Sequence, residues 1–226
     1  MESNKSKLDI KGLLNLKKEE LKTDDSVEIH SLNLALQSIQ KRLYYCEYYF
    51  KEFIDFSTKD DLRLELTPKH HPNCISSRTI FEASTYAFIQ NLHAVIDSLP
   101  YALNIIFTVN QIIEDNKVGW YWDFIKQYKP QPFFKSLNLM YNDELFLKLK
   151  KLSNTIKHKH LIRIKNNGYT LTFDPFSYEN KKEIIEVSNQ NVKELIIDTH
   201  DKLIPKLLDL YTQIKNAKKK ELAALK

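Results

Sequence analysis

Glycine is almost absent from this chain. Only Gly12, Gly119 and Gly168 occur among 226 residues, whereas an average usage of about 7% would give roughly 16. Phosphate-binding loops, dinucleotide-binding fingerprints and nucleophile elbows each need several clustered glycines for tight turns and close backbone approach. The sequence therefore argues against P-loop NTPases, Rossmann oxidoreductases and ordinary α/β-hydrolases.

The remaining composition is that of an ordinary globular chain, with 42% hydrophobic and 28% charged residues. Cys46 and Cys74 are too few for a disulfide framework and fit a reducing compartment. The lysine-rich start lacks the apolar segment of a secretory signal. The longest uncharged run, 98–113, is shorter than the roughly 20 apolar residues that a membrane span needs. We therefore predict a cytoplasmic protein without a membrane segment.

Apolar residues recur at helical spacing in four stretches. These stretches predict helices over about 27–56, 77–113, 143–158 and 191–210, with Pro100 kinking the second and Asn142 or Asp143 capping the third. Charged or proline-containing segments at 57–73 and 119–132 read as connections, the latter with one short helix. Asn167-Gly168 lies between two alternating runs and predicts a β-hairpin over about 161–173, with 183–187 as a candidate third strand.

These elements predict a mainly α fold, a bundle of about four to five long helices with a small β-hairpin inserted before the last helix. The predicted domain covers residues 24–212. Residues 1–23 are expected to form a flexible N-terminal arm, and residues 213–226 a basic C-terminal tail.

Positive charge is concentrated between residues 145 and 165, although the net charge of the whole chain is only +5. This segment has seven lysines and arginines and no acidic residue. Such a patch attracts polyanions such as RNA by counterion release. The plainer interpretation is a solvated helix face, which is common for lysine-rich surfaces.

Within this segment, the run Asn154-Thr-Ile-Lys-His158 and the hairpin that follows it carry a family resemblance. The chain resembles the HEPN superfamily (higher eukaryotes and prokaryotes nucleotide-binding), in particular its hairpin-bearing bacterial branch, over about residues 26–212. Ribonucleases of that family carry an arginine, a polar residue, three further residues and a histidine. Asn154 and His158 match the polar residue and the histidine, while Ser153 occupies the arginine position.

The resemblance implies a helical bundle that forms a homodimer and cuts RNA without a metal in a cleft shared by two copies. It assigns proton transfer to His158 and a supporting role to Asn154, which would orient the imidazole or bind phosphate. Lys151 or Lys157 would take the place of the missing arginine as phosphate clamp, since Ser153 carries no charge. An arginine at position 153 is therefore expected to raise a weakened activity.

Further candidate residues surround this motif. The RNA- and phosphate-binding candidates are Lys151, Lys157, Lys159 and Arg163. The supporting candidates are Ser153, Gln90, His93 and Asp97, the last three lying at i, i+3 and i+7 of the second long helix. A histidine held by a carboxylate within the bundle is the plainer interpretation of that trio.

We expect no cofactor and no metal. His70, His71 and Cys74 lack a second ligand pair at zinc-finger spacing and read as a loop. The resemblance therefore implies a metal-independent endoribonuclease, a toxin or defence effector with an antitoxin or another defence-system protein as partner. The alternative is a non-catalytic protein- or nucleotide-binding module that has lost the motif arginine.

Overall fold

The computed structural model of this protein describes residues 7–66, 77–108, 117–180 and 182–226. The described chain is mainly helical, with two small antiparallel hairpins. The α-helices are α1 (Ile10–Leu21), α2 (Val27–Asp55), α3 (Lys59–Leu66), α4 (Ser77–Asp97), α5 (Leu99–Phe107), α6 (Trp122–Ile125), α7 (Phe134–Tyr141), α8 (Glu144–His158), α9 (Val192–Asp198) and α10 (Ile204–Ala224). The strands are β1 (Ile164–Asn166), β2 (Leu171–Phe173), β3 (Phe176–Asn180) and β4 (Glu183–Val187).

The chain divides into two compact units. The first comprises Met1–Leu43, Ala94–Tyr141 and Ile204–Lys226, and the second comprises Tyr44–His93 and Asn142–Leu203. No helix in the described ranges is long and apolar enough to cross a lipid bilayer.

In the first unit, α1 packs against α10. The Asp9 carboxylate caps α1 by accepting a hydrogen bond from the Gly12 amide at 2.9 Å, and Leu13 of α1 is buried. The arm predicted over 1–23 contains helix α1, and the basic tail predicted over 213–226 is the end of α10, which continues to Ala224 with one side buried. The apolar residues Ile214, Ala217 and Leu222 are buried on that side, which explains the longer helix.

The predicted helix over 77–113 is interrupted. It consists of α4 and α5, separated at Ser98, whose hydroxyl donates to the Ala94 carbonyl at 2.7 Å. Pro100 lies in the first turn of α5, where its missing amide hydrogen is not needed. The proline therefore begins a new helix rather than kinking one long helix. The predicted end of this stretch, beyond residue 108, lies outside the described residues.

The predicted connection at 57–73 contains helix α3, which the sequence analysis missed. Thr58 and Asp61 form a reciprocal cap: the Thr58 amide donates to the Asp61 carboxylate at 3.1 Å, and the Asp61 amide donates to the Thr58 hydroxyl at 3.3 Å. Acidic residues in the first turn also suit the positive end of the helix dipole.

In the second unit, the hairpin at Asn167-Gly168 is present. Strands β1 and β2 pair with Ile164 opposite Phe173, and Gly168 adopts the positive φ of 84° that the turn requires. The strand predicted at 183–187 is present as β4, but it pairs with β3 in a separate hairpin instead of adding a third strand to β1 and β2.

The last predicted helix begins as expected, since the Asn191 carboxamide accepts from the Glu194 amide at 3.2 Å and caps α9. A π-helical segment, Thr199–Leu203, follows α9 and ends just before Pro205. Proline has no amide hydrogen to donate to the preceding turn, which accounts for the irregular geometry at this point.

Candidate nucleic-acid interface

Helix α8 carries the motif residues, and its first turn is fixed by Asp143. The Asp143 carboxylate accepts hydrogen bonds from the amides of Leu145 at 2.9 Å and Phe146 at 3.3 Å. The side of α8 that faces the core carries Phe146, Leu149, Leu152, Ser153 and Thr155. Leu145 and Ile156, which share helical spacing with Leu149 and Leu152, are only half-buried, so the buried side of α8 is rotated towards Ser153.

This rotation places Ser153 in the core. Ser153 is fully buried, and within the described part of the chain its hydroxyl has no hydrogen-bond partner. Position 153 follows Phe146 and Leu149 at helical spacing, so it shares their buried face. The position that holds the arginine in the family motif thus points into the core in this chain, away from the exposed surface of α8.

Asn154 and His158 are exposed and lie one helical turn apart on α8. His158 is the last residue of the helix, where a positively charged side chain is favoured by the helix dipole. The structure therefore presents these two motif residues together to solvent. An exposed imidazole beside a carboxamide can exchange protons with a bound substrate.

Lys157 contacts a residue of another helix. Its Nζ lies 3.5 Å from Nδ1 of His93, which is buried in α4 and stacks with Phe146 at a centroid distance of 6.5 Å. Among the supporting candidates, His93 is thus joined to the motif helix through Lys157. Gln90 is half-buried on α4, and Asp97 is exposed further along the same helix.

The basic candidates Lys151, Lys159 and Arg163 line one cleft of about 450 Å³ in the second unit. Thr155, His160, Asp174, Phe176 and Ser177 also line it. Lys151 thus lines the cleft together with Thr155 and Lys159, whereas Asn154 and His158 do not line it. Sequence reasoning missed the contribution of residues 174–177, because only the fold brings the β2–β3 connection beside the end of α8.

Few acidic groups offset this positive charge. Glu144 is paired with Lys148 at 2.9 Å and accepts a hydrogen bond from the Tyr178 hydroxyl at 3.1 Å; both contacts hold the pKa of Glu144 below its usual range. Asp174 is paired with Lys165 at 2.6 Å. Lys151, Lys159 and Arg163 form no ion pair within the described ranges. This surface of α8 therefore keeps an uncompensated positive charge.

The chain matches no family model, no curated protein and no solved structure. In the described ranges, no group of three or more His, Cys, Asp or Glu residues could hold a metal ion. The candidate ligands His70, His71 and Cys74 lie outside the described residues.

Proposed function

We propose that this protein is a HEPN-like endoribonuclease that binds RNA along α8 and uses His158 for proton transfer. The observation that carries the proposal is the joint exposure of Asn154 and His158 on one face of α8, in a segment that has cations but no acidic residue. The resemblance of this motif to that of HEPN ribonucleases directs the proposal to RNA.

The proposed reaction is an internal transfer on the RNA backbone. His158 accepts the proton of a ribose 2′-hydroxyl, whose oxygen attacks the adjacent phosphorus. The bond from phosphorus to the 5′-oxygen breaks, so the products are a 2′,3′-cyclic phosphate and a 5′-hydroxyl. The leaving 5′-oxygen takes a proton from His158 of a second copy, as the implied homodimer would allow.

A cation must offset the negative charge that builds on the phosphate oxygens. Ser153 supplies none, and Lys157 directly precedes His158 in the sequence. Its contact with His93 restricts a long and flexible side chain, which lowers the entropy lost when the lysine binds a phosphate. We assign the clamp to Lys157, with Asn154 orienting the imidazole or the phosphate.

The test is incubation of the purified chain with total RNA in the presence of a metal chelator. New fragments that end in 2′,3′-cyclic phosphate are expected with the unaltered chain and are expected to disappear with His158→Ala. The matched control is His30→Ala, which removes another exposed helical imidazole, on α2. Equal cleavage by His158→Ala and the unaltered chain would reject His158 as the acid/base residue.

A second candidate function is supported by the burial of Ser153. If this family position no longer serves chemistry, the same surface serves as a non-catalytic module that holds RNA, a nucleotide or a protein partner. Three exposed aromatic residues of α2, Tyr44, Tyr45 and Tyr48, offer an additional contact surface. RNA that is bound in a gel-shift assay but stays intact under all conditions would favour this module.

The biological role depends on which of these two functions, ribonuclease or non-catalytic binding module, the chain performs. As a ribonuclease, the chain would act as a toxin or defence effector, kept inactive by an antitoxin or another partner protein. Sedimentation velocity tests the homodimer on which the shared acid/base chemistry depends. A monomer that still cleaves RNA would contradict the proposed proton donor.

A further inference from the structure

The cleft beside α8 combines basic, hydroxyl and aromatic side chains, whereas binding of an RNA backbone requires only the basic ones. Lys151 enters it from α8, and Lys159 and Arg163 enter it from the segment between α8 and β1. Asn154 and His158 do not line it. The cleft is thus a second surface of α8, next to the motif face but built from other residues.

Its charge suits a ligand with more than one negative charge. Three basic side chains line the cleft, and the one carboxylate among the lining residues, Asp174, is already paired with Lys165. Two hydroxyls, from Thr155 and Ser177, add hydrogen-bond donors to the same wall. An internal phosphodiester carries a single negative charge, whereas a terminal phosphate monoester carries about −1.5 to −2 near neutral pH and offers three acceptor oxygens.

The remaining wall suits a nucleoside. Phe176 is half-buried, lines the cleft and packs edge-on against Phe173, with centroids 6.4 Å apart and ring planes at 90°. Aromatic rings held in this way stack with nucleobases of any sequence. The volume of about 450 Å³ lies within the range of roughly 300–1,000 Å³ that is usual for small-ligand pockets.

We propose that this cleft binds a nucleoside 5′-phosphate, with the phosphate on Lys151, Lys159 and Arg163 and the base against Phe176. The ligand is the 5′-phosphorylated end of an RNA or a free nucleotide of the same chemistry. This inference deepens the proposed function, on which it rests for RNA as the source of the phosphate.

The experiment uses the full chain with His158→Ala, so that RNA stays intact during the measurement. Binding of a short 5′-phosphorylated oligoribonucleotide is compared with that of its 5′-hydroxyl counterpart, of adenosine 5′-monophosphate and of inorganic phosphate. We expect the phosphorylated strand to bind at least about tenfold more tightly than the hydroxyl strand, since a charge-assisted contact typically contributes that much. Tighter binding of the strand than of the mononucleotide identifies RNA ends as the ligand; equal binding identifies the free nucleotide.

Two substitutions separate the parts of the site. Arg163→Gln is expected to remove most of the preference for the 5′-phosphate, whereas Lys193→Gln, an equal charge change on an exposed position of α9, is expected to preserve it. Phe176→Leu should weaken binding of adenosine 5′-monophosphate and leave that of inorganic phosphate unchanged. Circular dichroism of each variant checks that the helices are intact.

The outcomes also separate this inference from the proposed function. Equal affinity for the phosphorylated and hydroxyl strands, with RNA still bound, overturns the 5′-phosphate site and leaves the RNA interface standing. Failure of the chain to bind any RNA overturns the proposed function, and binding of the mononucleotide by the cleft would then stand on its own.

Discussion

The amine of Lys157 lies 3.5 Å from the Nδ1 atom of His93, although 64 residues separate them in the sequence. A lysine ammonium can only donate hydrogen bonds, so Nδ1 of the imidazole accepts. We therefore expect His93 to be neutral in this contact, with its proton on Nε2. The buried histidine fixes the position of a cation on the motif helix.

The tautomer of His93 is the first prediction. Two-dimensional spectra of ¹⁵N-labelled imidazoles near neutral pH should show His93 with a proton on Nε2 and none on Nδ1. Lys157→Met removes the donor and should shift the His93 Nδ1 resonance, whereas the exposed His30 should be unaffected. A cationic His93, or a proton on Nδ1, would disprove the contact.

The burial of Ser153 leads to the second prediction, which reverses an expectation from the sequence. Ser153→Arg would place a charged side chain among Phe146, Leu149 and Leu152. Because burying an unpaired charge is costly, we expect a loss of about 3 kcal/mol or more in the free energy of unfolding, and no gain in activity. Urea unfolding followed by circular dichroism measures it.

Ser153→Ala is the matched control for this burial. It removes a buried hydroxyl that has no hydrogen-bond partner in the described part of the chain. The stability of this variant should therefore stay within about 1 kcal/mol of the original. An arginine variant as stable as the alanine variant, with increased RNA cleavage, would show that position 153 reaches the surface.

The third prediction concerns two buried lysines that are held by Glu20. Lys17 and Lys218 both lie within 2.7 Å of Glu20 oxygens, and each lysine side chain is only 1% exposed. Glu20→Gln removes one carboxylate from both lysines, which leaves Glu221 beside Lys218 and the Thr108 hydroxyl beside Lys17. We expect a loss of about 3 kcal/mol in the free energy of unfolding. Glu19→Gln, which breaks the more exposed pair with Lys226, should cost less than about 1 kcal/mol.

Acid should weaken the same network. Burial raises the pKa of Glu20, but hydrogen bonds from Lys17 and Lys218 outweigh burial and leave this pKa below its ordinary value of 4.5. A carboxylate with a lowered pKa in the folded state stabilises the protein above its unfolded pKa, and this stability is lost as the pH falls through the folded pKa. Denaturant unfolding at decreasing pH should show a smaller acid loss in Glu20→Gln than in the original chain.

The fourth prediction concerns His200, whose contribution to stability is lost as the pH rises rather than as it falls. Its ring stacks on Phe50 at 3.8 Å, and its nitrogens contact Glu47 at 3.1 Å and Asp201 at 2.6 Å. Burial lowers the pKa of His200, but the two carboxylates outweigh it and raise this pKa above 6.5. The resulting stability is complete below pH 6.5 and is lost as the pH rises through the folded pKa.

The variant Glu47→Gln tests this assignment. Removal of one carboxylate should lower the His200 pKa, as followed by NMR titration of the ring protons. It should also reduce stability at mildly acidic pH by about 1 kcal/mol, the scale of a partly exposed ion pair. An unchanged titration of His200 would contradict the contact with Glu47.

Local signals in the sequence account for much of the secondary structure. The Asp143 and Asn191 caps predicted the starts of α8 and α9, and Asn167-Gly168 predicted the first hairpin, because these interactions depend only on neighbouring residues. The same reasoning could have found α3 from the Thr58 and Asp61 spacing. Helix α7 was not predicted, because it is only eight residues long and directly follows a proline-containing segment that indicates a connection.

Local signals in the sequence predicted only part of the candidate site. Helical spacing placed Asn154 and His158 on one face, but the rotation of α8 that buries Ser153 depends on which side packs into the core. The contact between Lys157 and His93 and the arrival of Phe176 beside Arg163 join distant parts of the chain. Tertiary packing decides such contacts, and spacing along one helix carries no information about them.

Residues 151, 155 and 159 follow one line along α8 and just past its end, and residues 154 and 158 follow another. Substitutions along one line leave the side chains of the other in place, so the proposed nucleotide binding and the proposed RNA cleavage can be altered separately. A variant without the His158 imidazole would then still bind the nucleoside 5′-phosphate proposed for the cleft. Separation-of-function alleles should therefore be obtainable by single codon changes.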